Sequence, residues 1–199
     1  MKHDPDKDHQ QSIRWVGYDY TEAGAYFVTL RTQRWLCRFG DIVDDTMLLN
    51  AAGRMIQSTW DELAEHYVGV QTDTLVVMPN HIHGIITLAP VGTAGPLACP
   101  SLDRPLPETE QLQGGVPTGS ACPALSLGNV VARFRTLTTK RYSDGVKHYR
   151  WPACAGRLWQ RHCYERVIPD EQSLNHIRRY IADNAAHWAH DADNPQSHP

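Results

Sequence analysis

The sequence predicts an α+β fold in which helices pack on a mostly antiparallel β-sheet. Short runs rich in β-branched and aromatic residues indicate four strands. Three longer stretches repeat apolar residues at helical spacing. Along the chain, the predicted order is strand, helix, strand, strand, helix, strand, helix.

The first half of the chain holds the first four predicted elements. Ala25–Thr32 (AYFVTLRT) has the composition of a strand. Asp44, Asp45 and Thr46 are suited to cap a helix, whose apolar residues recur until about Tyr67. The next two predicted strands are TDTLVVMP (72–79) and HIHGIITL (81–88), joined sharply at Pro79-Asn80.

The last three elements follow a compositional break. LSLGNVVARFRTLTTKRY (125–142) carries one apolar helical stripe, and GRLWQRHCYERVI (156–168) is typical of a strand with a polar start. The final helix opens with Pro169, Asp170 and Glu171, which favour a first turn, and has apolar residues up to Trp188.

The predicted domain organisation is simple. Residues 1–22 form a polar arm, residues 23–188 form one domain, and residues 189–199 form a polar tail. The domain is interrupted by an irregular insertion at 89–124, because seven of the chain's 13 prolines lie there.

Composition excludes several classes of protein. No apolar run approaches the roughly 20 residues that a membrane helix requires, and the charged N-terminus is unlike a secretion signal. The five scattered cysteines contain no C-x-x-C pair, which favours a reducing cytoplasm. The net charge is −3, but residues 125–188 carry +6, either a basic binding face or a solvated helix surface.

Two histidines stand two residues apart in an otherwise apolar strand. Side chains alternate along a strand, so His81 and His83 share one face while Ile82 points to the other. Two imidazoles side by side suit an open catalytic metal site that another residue completes. The alternative is a pair of hydrogen-bonded structural histidines.

The last predicted helix offers a third ligand and a nucleophile. Tyr180 and Asn184 are four residues apart and so lie one helical turn apart on one face. The Asn184 amide oxygen is a candidate ligand, and the Tyr180 hydroxyl is a candidate nucleophile toward a phosphodiester. His176 and His187 are rival ligands, and Tyr164 is a rival nucleophile.

Three segments together resemble the single-tyrosine transposases of the HUH endonuclease superfamily, above all the REP-associated tyrosine transposases. They are MPNHIHGII, LGNVVARFRTLTTKR and LWQRHCYERVIPDEQSLNHIRRYIADN, in the order that the family has them. The resemblance implies a ferredoxin-like (RRM-like) sheet with helices on one face. It also implies metal-dependent cleavage and rejoining of single-stranded DNA, usually at a hairpin, through a 5′-phosphotyrosine.

Carried onto this sequence, the resemblance makes His81, His83 and Asn184 metal ligands and Tyr180 the nucleophile. The implied cofactor is a divalent ion, with Mg²⁺ or Mn²⁺ suited to phosphate chemistry. The chain departs from the family in three places: Ala185 follows Asn184 where proline is common, Cys163 precedes Tyr164 where a tyrosine pair is common, and the 89–124 insertion is long.

Basic and aromatic residues near these segments are candidates to hold DNA. Arginine and lysine neutralise phosphates, and an indole can stack on an unpaired base. The candidates are Arg133, Arg135, Lys140, Arg141, Trp159, Arg161, Arg178 and Arg179. For Trp159 the alternative is a core position.

Other functions fit the same residues. A domesticated nuclease would process repeats without moving an element. A module that only binds single-stranded nucleic acid would need neither a metal nor Tyr180, and a small-molecule phosphoesterase would need the histidines alone. We expect a monomer rather than a homodimer, because the long C-terminal exchange element of dimeric relatives is not evident.

Overall fold

The computed structural model describes residues 21–90 and 126–197. The predicted N-terminal arm and the 89–124 insertion therefore lie outside the described residues, except for residues 21–22 and 89–90. In chain order the elements are β1 (Gly24–Arg31), β2 (Gly40–Val43), β3 (Thr46–Leu49), α1 (Ala51–His66), β4 (Val70–Val77), β5 (His81–Leu88), α2 (Leu127–Tyr149), β6 (Tyr164–Ile168) and α3 (Glu171–Asp183). Short 3₁₀ turns cover Gln33–Trp35 and Ala185–His190.

The main sheet confirms the predicted α+β class. Its strand order is β4-β5-β1-β6, and every neighbouring pair is antiparallel. Taken with α1 and α2, these strands have the β-α-β-β-α-β connectivity of a ferredoxin-like fold. The central pair, β1 and β5, is in register along its whole length, from Gly24 opposite Leu88 to Arg31 opposite His81.

Side-chain alternation divides this sheet into two faces. We call one the core face: Tyr26, Val28, Ile82 and Ile86 pack there against α1 and α2. The other, which we call the histidine face, carries Phe27, Thr29, His81, His83 and Ile85. The prediction that helices cover one face holds for α1 and α2 and is wrong for α3, whose Ile181 packs with Phe27 and Ile85 on the histidine face.

The predicted cap of the first helix is also wrong. Asp44 and Asp45 adopt left-handed backbone angles (φ of 48° and 58°) and form the turn of the β2–β3 hairpin. The cap of α1 is instead Asn50, whose side-chain oxygen accepts a hydrogen bond from the Gly53 amide at 2.9 Å. Short aspartate side chains tolerate the left-handed region, so a hairpin turn suits these residues as well as a cap does.

The fourth predicted strand is shorter than expected. Only Tyr164–Ile168 pairs with β1, and residues 157–163 are irregular apart from one bridge between Trp159 and Thr32. The predicted tail from residue 189 does not lie outside the domain, because Asp193 and Asn194 are buried against it. Among the described helices, none combines the length and apolar content needed to cross a bilayer.

Candidate active site

The two histidines begin strand β5 and lie under α3 on the histidine face. The His81 side chain is fully buried, and His83 is 5% exposed. Their ring centroids are 4.6 Å apart, as expected for residues two apart on one strand. Ile82 between them points into the core face, so the alternation predicted from the sequence is confirmed.

Each imidazole has a hydrogen-bonding partner at Nδ1. The Asn80 side-chain oxygen lies 2.8 Å from Nδ1 of His81, and the Thr29 hydroxyl lies 2.8 Å from Nδ1 of His83. These partners orient the rings with their Nε2 atoms available to the site. Metal-binding histidines generally have such a partner on the second ring nitrogen.

Burial keeps both histidines neutral. It lowers the pKa of His81 to about 3, and the positive charge of Arg31 acts in the same direction. Burial also holds the pKa of His83 well below its usual range, with further contributions from His81 and Arg31. A neutral imidazole is the form that can donate a lone pair to a metal ion.

Helix α3 brings Tyr180 over the histidines. The helix begins after Asp170, whose side chain accepts a hydrogen bond from the Ser173 amide at 2.7 Å. It packs on the sheet through Ile181, Ile177 and Leu174. This placement sets the Tyr180 hydroxyl 3.4 Å from Nε2 of His83, while 47% of the tyrosine remains exposed to an incoming substrate.

The electrostatic surroundings of Tyr180 favour the neutral phenol. Burial against the sheet raises its pKa, and the negative charges of Asp191 and Asp193 add to the effect. The Asn184 side chain and the charge of Arg31 act in the opposite direction. Forming the phenolate therefore requires additional positive charge nearby, as a bound cation would supply.

Asn184 caps the C-terminus of α3 and lies beneath Tyr180. Its amide is buried and also influences the pKa of His81, which it raises, so it lies near both groups. After Asn184 the chain continues as a 3₁₀ turn (Ala185–His190) rather than a longer α-helix. The Asn184 side chain thus faces inward at the end of the helix.

The donor atoms at this site fit a divalent metal ion. Within residues 21–90 and 126–197, Nε2 of His81 and Oδ1 of Asn184 are buried without a hydrogen-bonding partner. Buried polar atoms usually have partners, so two neighbouring atoms outside hydrogen-bonding geometry are suited to bind a ligand between them. No trio of His, Cys, Asp or Glu side chains in the described part of the chain forms a metal-binding group, so an amide oxygen is needed to complete the set.

The C-terminal segment around Asp193, within the predicted tail, completes the surroundings of the site. The Asp193 carboxylate accepts a hydrogen bond from Arg31 at 2.7 Å and lies 3.9 Å from Nδ1 of His81. The Asp193 backbone carbonyl accepts a hydrogen bond from the Asn80 side-chain nitrogen at 2.6 Å. Asn80 adjoins the histidine pair in the sequence and could have been singled out, whereas no local pattern marks Asp193.

The rival ligands and the rival nucleophile lie farther from the two histidines or are exposed. His176 and His187 are exposed, and Nδ1 of His187 faces the backbone carbonyl of Asp183 at 2.8 Å. Tyr164 does lie on the histidine face, where its ring packs edge-on against Phe27. It is one strand farther away, since Thr29 stands between it and His83 in the sheet.

Helix α2 lies on the core face, opposite the histidines, and two of its predicted DNA-binding residues make internal contacts. Arg141 forms an ion pair with Glu62 at 2.6 Å and also contacts Thr59. Arg135 donates hydrogen bonds to the backbone carbonyls of Gln160 and Arg161. Arg133 on this helix is half-buried and Lys140 is exposed.

The stacking role predicted for Trp159 is wrong. The indole is only 2% exposed, its nitrogen donates to the Thr138 hydroxyl at 2.9 Å, and its ring packs against Phe39 and Phe134. The core alternative therefore describes this residue. Arg161, two residues later, is exposed.

The two adjacent arginines of α3 have different environments. Arg178 forms an ion pair with Asp73 at 2.6 Å, and Asp73 projects from an irregularity between Thr72 and Leu75 of β4. Arg179 is exposed. Arg178 therefore links α3 to the sheet, and Arg179 is the arginine of the pair that faces solvent.

Three known proteins are similar to this chain, and one of them supports the fold. An uncharacterized protein of Haemophilus influenzae is 31% identical over 183 residues, which cover 92% of each chain. A REP-associated tyrosine transposase, solved bound to a REP hairpin, superposes with a TM-score of 0.51 at 15% identity, covering 85% of this chain and 70% of the transposase. A second structure, a putative transposase from Deinococcus radiodurans, gives a TM-score of 0.43 at 16% identity, with 84% of this chain and 93% of the other covered. No protein-family model matches the chain.

Proposed function

We propose that this chain, which belongs to the same family as the Haemophilus influenzae protein, is a metal-dependent nuclease and strand transferase that acts on single-stranded or hairpin DNA. One observation carries the proposal. The hydroxyl of a half-exposed tyrosine lies 3.4 Å from one neutral, buried histidine, next to a second histidine and an asparagine whose buried donor atoms lack partners among the described residues. The transposase-like fold supports DNA as the substrate.

His81, His83 and Asn184 would hold the metal ion, with Mg²⁺ or Mn²⁺ as the proposed cofactor. A divalent ion bound there would polarise the scissile phosphate and offset the charge that develops on it. Two nitrogens and one amide oxygen leave coordination positions for phosphate oxygens and water, as catalytic sites require. The protein's own part is to keep both imidazoles neutral by burial and to hold the ligands on two rigid elements.

Tyr180 would be the nucleophile. Its phenolic oxygen attacks the phosphorus, the new O–P bond forms, and the P–O3′ bond breaks. The proton lost by the phenol is released to solvent, and the departing 3′ oxygen takes up a proton to become a free hydroxyl. The product is a 5′-phosphotyrosine, and attack by a 3′ hydroxyl in the reverse sense rejoins DNA without external energy.

The surroundings of Tyr180 suit this role. Phe27 packs edge-on against the tyrosine ring, with centroids 6.1 Å apart, while about half of Tyr180 remains exposed to solvent. The raised pKa keeps the hydroxyl protonated in the absence of substrate and metal. Nucleophilic attack would therefore depend on the cation, which links cleavage to metal binding.

A denaturing-gel assay tests the proposal. The substrate is a 3′-end-labelled single-stranded hairpin from repeats that flank the gene, with Mn²⁺ or with a chelator. We expect wild-type protein to yield a labelled covalent adduct only with Mn²⁺, and Tyr180→Phe to yield none. Tyr164→Phe is the matched control, because it removes a hydroxyl from the same face and should retain the adduct.

Each other result points to a different function. Cleavage by Tyr180→Phe would contradict the tyrosine mechanism and favour hydrolysis by water. Loss of the adduct in Tyr164→Phe, with Tyr180→Phe active, would move the nucleophile to β6. Hairpin binding that survives chelation, with no cleavage by any variant, would favour a module that only binds single-stranded nucleic acid.

A further inference from the structure

We propose that Asn80 selects the metal-binding tautomer of His81 by accepting the hydrogen on Nδ1, which leaves the Nε2 lone pair for the ion. This inference deepens the metal site of the proposed function and rests on it. Asn80 would act as a positioning residue, through His81, without itself touching metal or DNA. Its side chain is fully buried and held from three sides.

The orientation of the Asn80 amide follows from its neighbours. One end of the amide lies 2.6 Å from the backbone carbonyl oxygen of Asp193 and 3.2 Å from that of Trp35. A carbonyl oxygen only accepts hydrogen bonds, so the end that faces two of them must be the NH₂ group. The side-chain oxygen of Asn80 must then face the ring of His81.

The tautomer of His81 follows from that orientation. The Asn80 oxygen lies 2.8 Å from Nδ1 of His81, and since an amide oxygen cannot donate, Nδ1 must carry the hydrogen. A neutral imidazole has one such hydrogen, so Nε2 is a bare acceptor. That atom is buried and, in the described part of the chain, lacks a partner, as expected for a ligand prepared for an ion.

The neighbouring His83 does not have its tautomer fixed in this way. Its Nδ1 partner is the Thr29 hydroxyl, which can donate or accept, so the contact at 2.8 Å is compatible with either tautomer. His83 can therefore change its tautomer when Tyr180 moves or a metal ion binds. His81 cannot, because two backbone carbonyls from distant segments fix its partner.

The chain segments that hold Asn80 are themselves anchored. The Thr32 amide donates to the Asn80 backbone carbonyl at 2.8 Å, which ties the end of β1 to the residue before His81. The segment that contains Asp193 is anchored by the ion pair with Arg31 at 2.7 Å. Asn80 thus connects the histidine strand to the C-terminal segment, and this connection explains why the supposed tail packs into the domain.

Nitrogen-15 NMR of the imidazole rings tests the inference in metal-free protein at neutral pH. His81→Gln identifies the His81 signals by their loss. We expect wild-type His81 to show a protonated Nδ1 and a bare Nε2. A hydrogen on Nε2 of wild-type His81 would overturn the proposal, whatever the protein does to DNA.

Two variants extend the test to metal binding. Asn80→Ala removes the acceptor, so we expect His81 to shift toward the other tautomer and Mn²⁺ affinity, by calorimetry, to fall about 10–100-fold. Asn80→Gln keeps both the acceptor oxygen and the NH₂ donor, so it should keep the wild-type tautomer. The signals of His148, an exposed histidine of α2, are the internal control and should not change in either variant.

The results separate this inference from the nuclease proposal. Unchanged tautomer and unchanged Mn²⁺ affinity in a folded Asn80→Ala variant would overturn the role of Asn80 and leave the tyrosine mechanism standing. Conversely, cleavage by Tyr180→Phe would contradict the mechanism but not the tautomer. If Asn80→Ala fails to fold, the wild-type spectrum still decides the question, because a hydrogen on Nε2 of His81 overturns the inference.

Discussion

The core face and the histidine face use the same strands in opposite ways. On the core face, Tyr26, Val28, Ile82 and Ile86 are wholly buried against α1 and α2. On the histidine face, the fully packed apolar cluster consists of Phe27, Ile85, Ile168 and Ile181. Thr29, His81 and His83 are buried beside it, and among the described residues Nε2 of His81 has no hydrogen-bonding partner.

This difference separates the face that contributes most of the stability from the face that carries the candidate site. Burial of apolar area is the main favourable contribution to folding, so the core face supplies most of it. Buried imidazoles lose hydration, so the histidine face gives up stability to keep its ligands neutral. Functional sites commonly depart from optimal stability in this way. The two faces should therefore respond differently to substitution.

The largest effect is expected at Trp60 on the core face. Its ring is buried against Phe134, with centroids 5.5 Å apart. Trp60→Ala should lower the free energy of unfolding by about 3–5 kcal/mol, through lost contacts and a residual cavity. Urea denaturation would measure this change. Tyr180→Phe is the comparison on the other face and should change stability by less than about 1 kcal/mol; equal losses would contradict the contrast.

A smaller effect is expected at Gly84, where the core face is too tightly packed for an added side chain. A Cβ added at Gly84 would lie 2.5 Å from two ring carbons of Trp60, well inside van der Waals contact. Gly84→Ala should therefore cost about 1–3 kcal/mol through overpacking. Adding Trp60→Phe should recover part of that loss in urea denaturation, because the smaller ring vacates the space. Additive losses in the double variant would show that the clash is not the cause.

The residues of the histidine face could be predicted from the sequence, whereas the distant contacts that hold them in place could not. Strand β5 begins and ends where the pattern placed it, and alternation put His81 and His83 on one face. The helical spacing of Tyr180 and Asn184 placed both at the end of α3 that lies over the histidines. These are local relations, set by the periods of strand and helix.

What the sequence could not reveal depends on distant contacts. Arg141 is a basic residue of the kind that contacts DNA, but it forms an ion pair with Glu62, which lies 79 residues away in the sequence. Asp193 has no local signal, because its role depends on Arg31, 162 residues earlier. The side of the sheet on which each helix packs is also a tertiary property. The sequence therefore does not reveal that α3 packs on the face opposite α1 and α2.

The pH dependence of stability is expected to report on the histidine face. The folded pKa of His81 is about 3 and the unfolded value is about 6.5, so below pH 6.5 the unfolded chain binds a proton that the folded chain does not. Stability is therefore lost as pH falls from 6.5 toward 3. Between pH 7 and 5.5 this single group should account for about 1 kcal/mol.

The matched variants isolate that contribution. In metal-free protein, His81→Gln should reduce the loss of stability between pH 7 and 5.5 by about 1 kcal/mol, because the unfolded chain has one fewer group to protonate. Exposed His148→Gln should leave the loss unchanged. Equal losses in wild type and His81→Gln would mean that His81 titrates normally in the folded state and is not sealed from water.

The smallest effects are expected from the adjacent arginines of α3, which differ in partner. Arg178 pairs with Asp73 in an ion pair that is partly exposed, so Arg178→Ala should lower the free energy of unfolding only slightly. Arg179 faces solvent, so Arg179→Ala should leave stability unchanged. If Arg179 contacts a phosphate, its loss should reduce the slope of log affinity against log salt by about 0.7 for single-stranded DNA.

Hairpin binding titrations at several salt concentrations distinguish the two arginines. Arg178→Ala should keep the wild-type salt dependence, because its charge is already neutralised by Asp73. A reduced slope in Arg178→Ala, with Arg179→Ala unchanged, would mean that DNA displaces Asp73 and that α3 moves when substrate binds. The ion pair would then hold Tyr180 in place only until DNA arrives, and the histidine face would be the adjustable side of an otherwise rigid sheet.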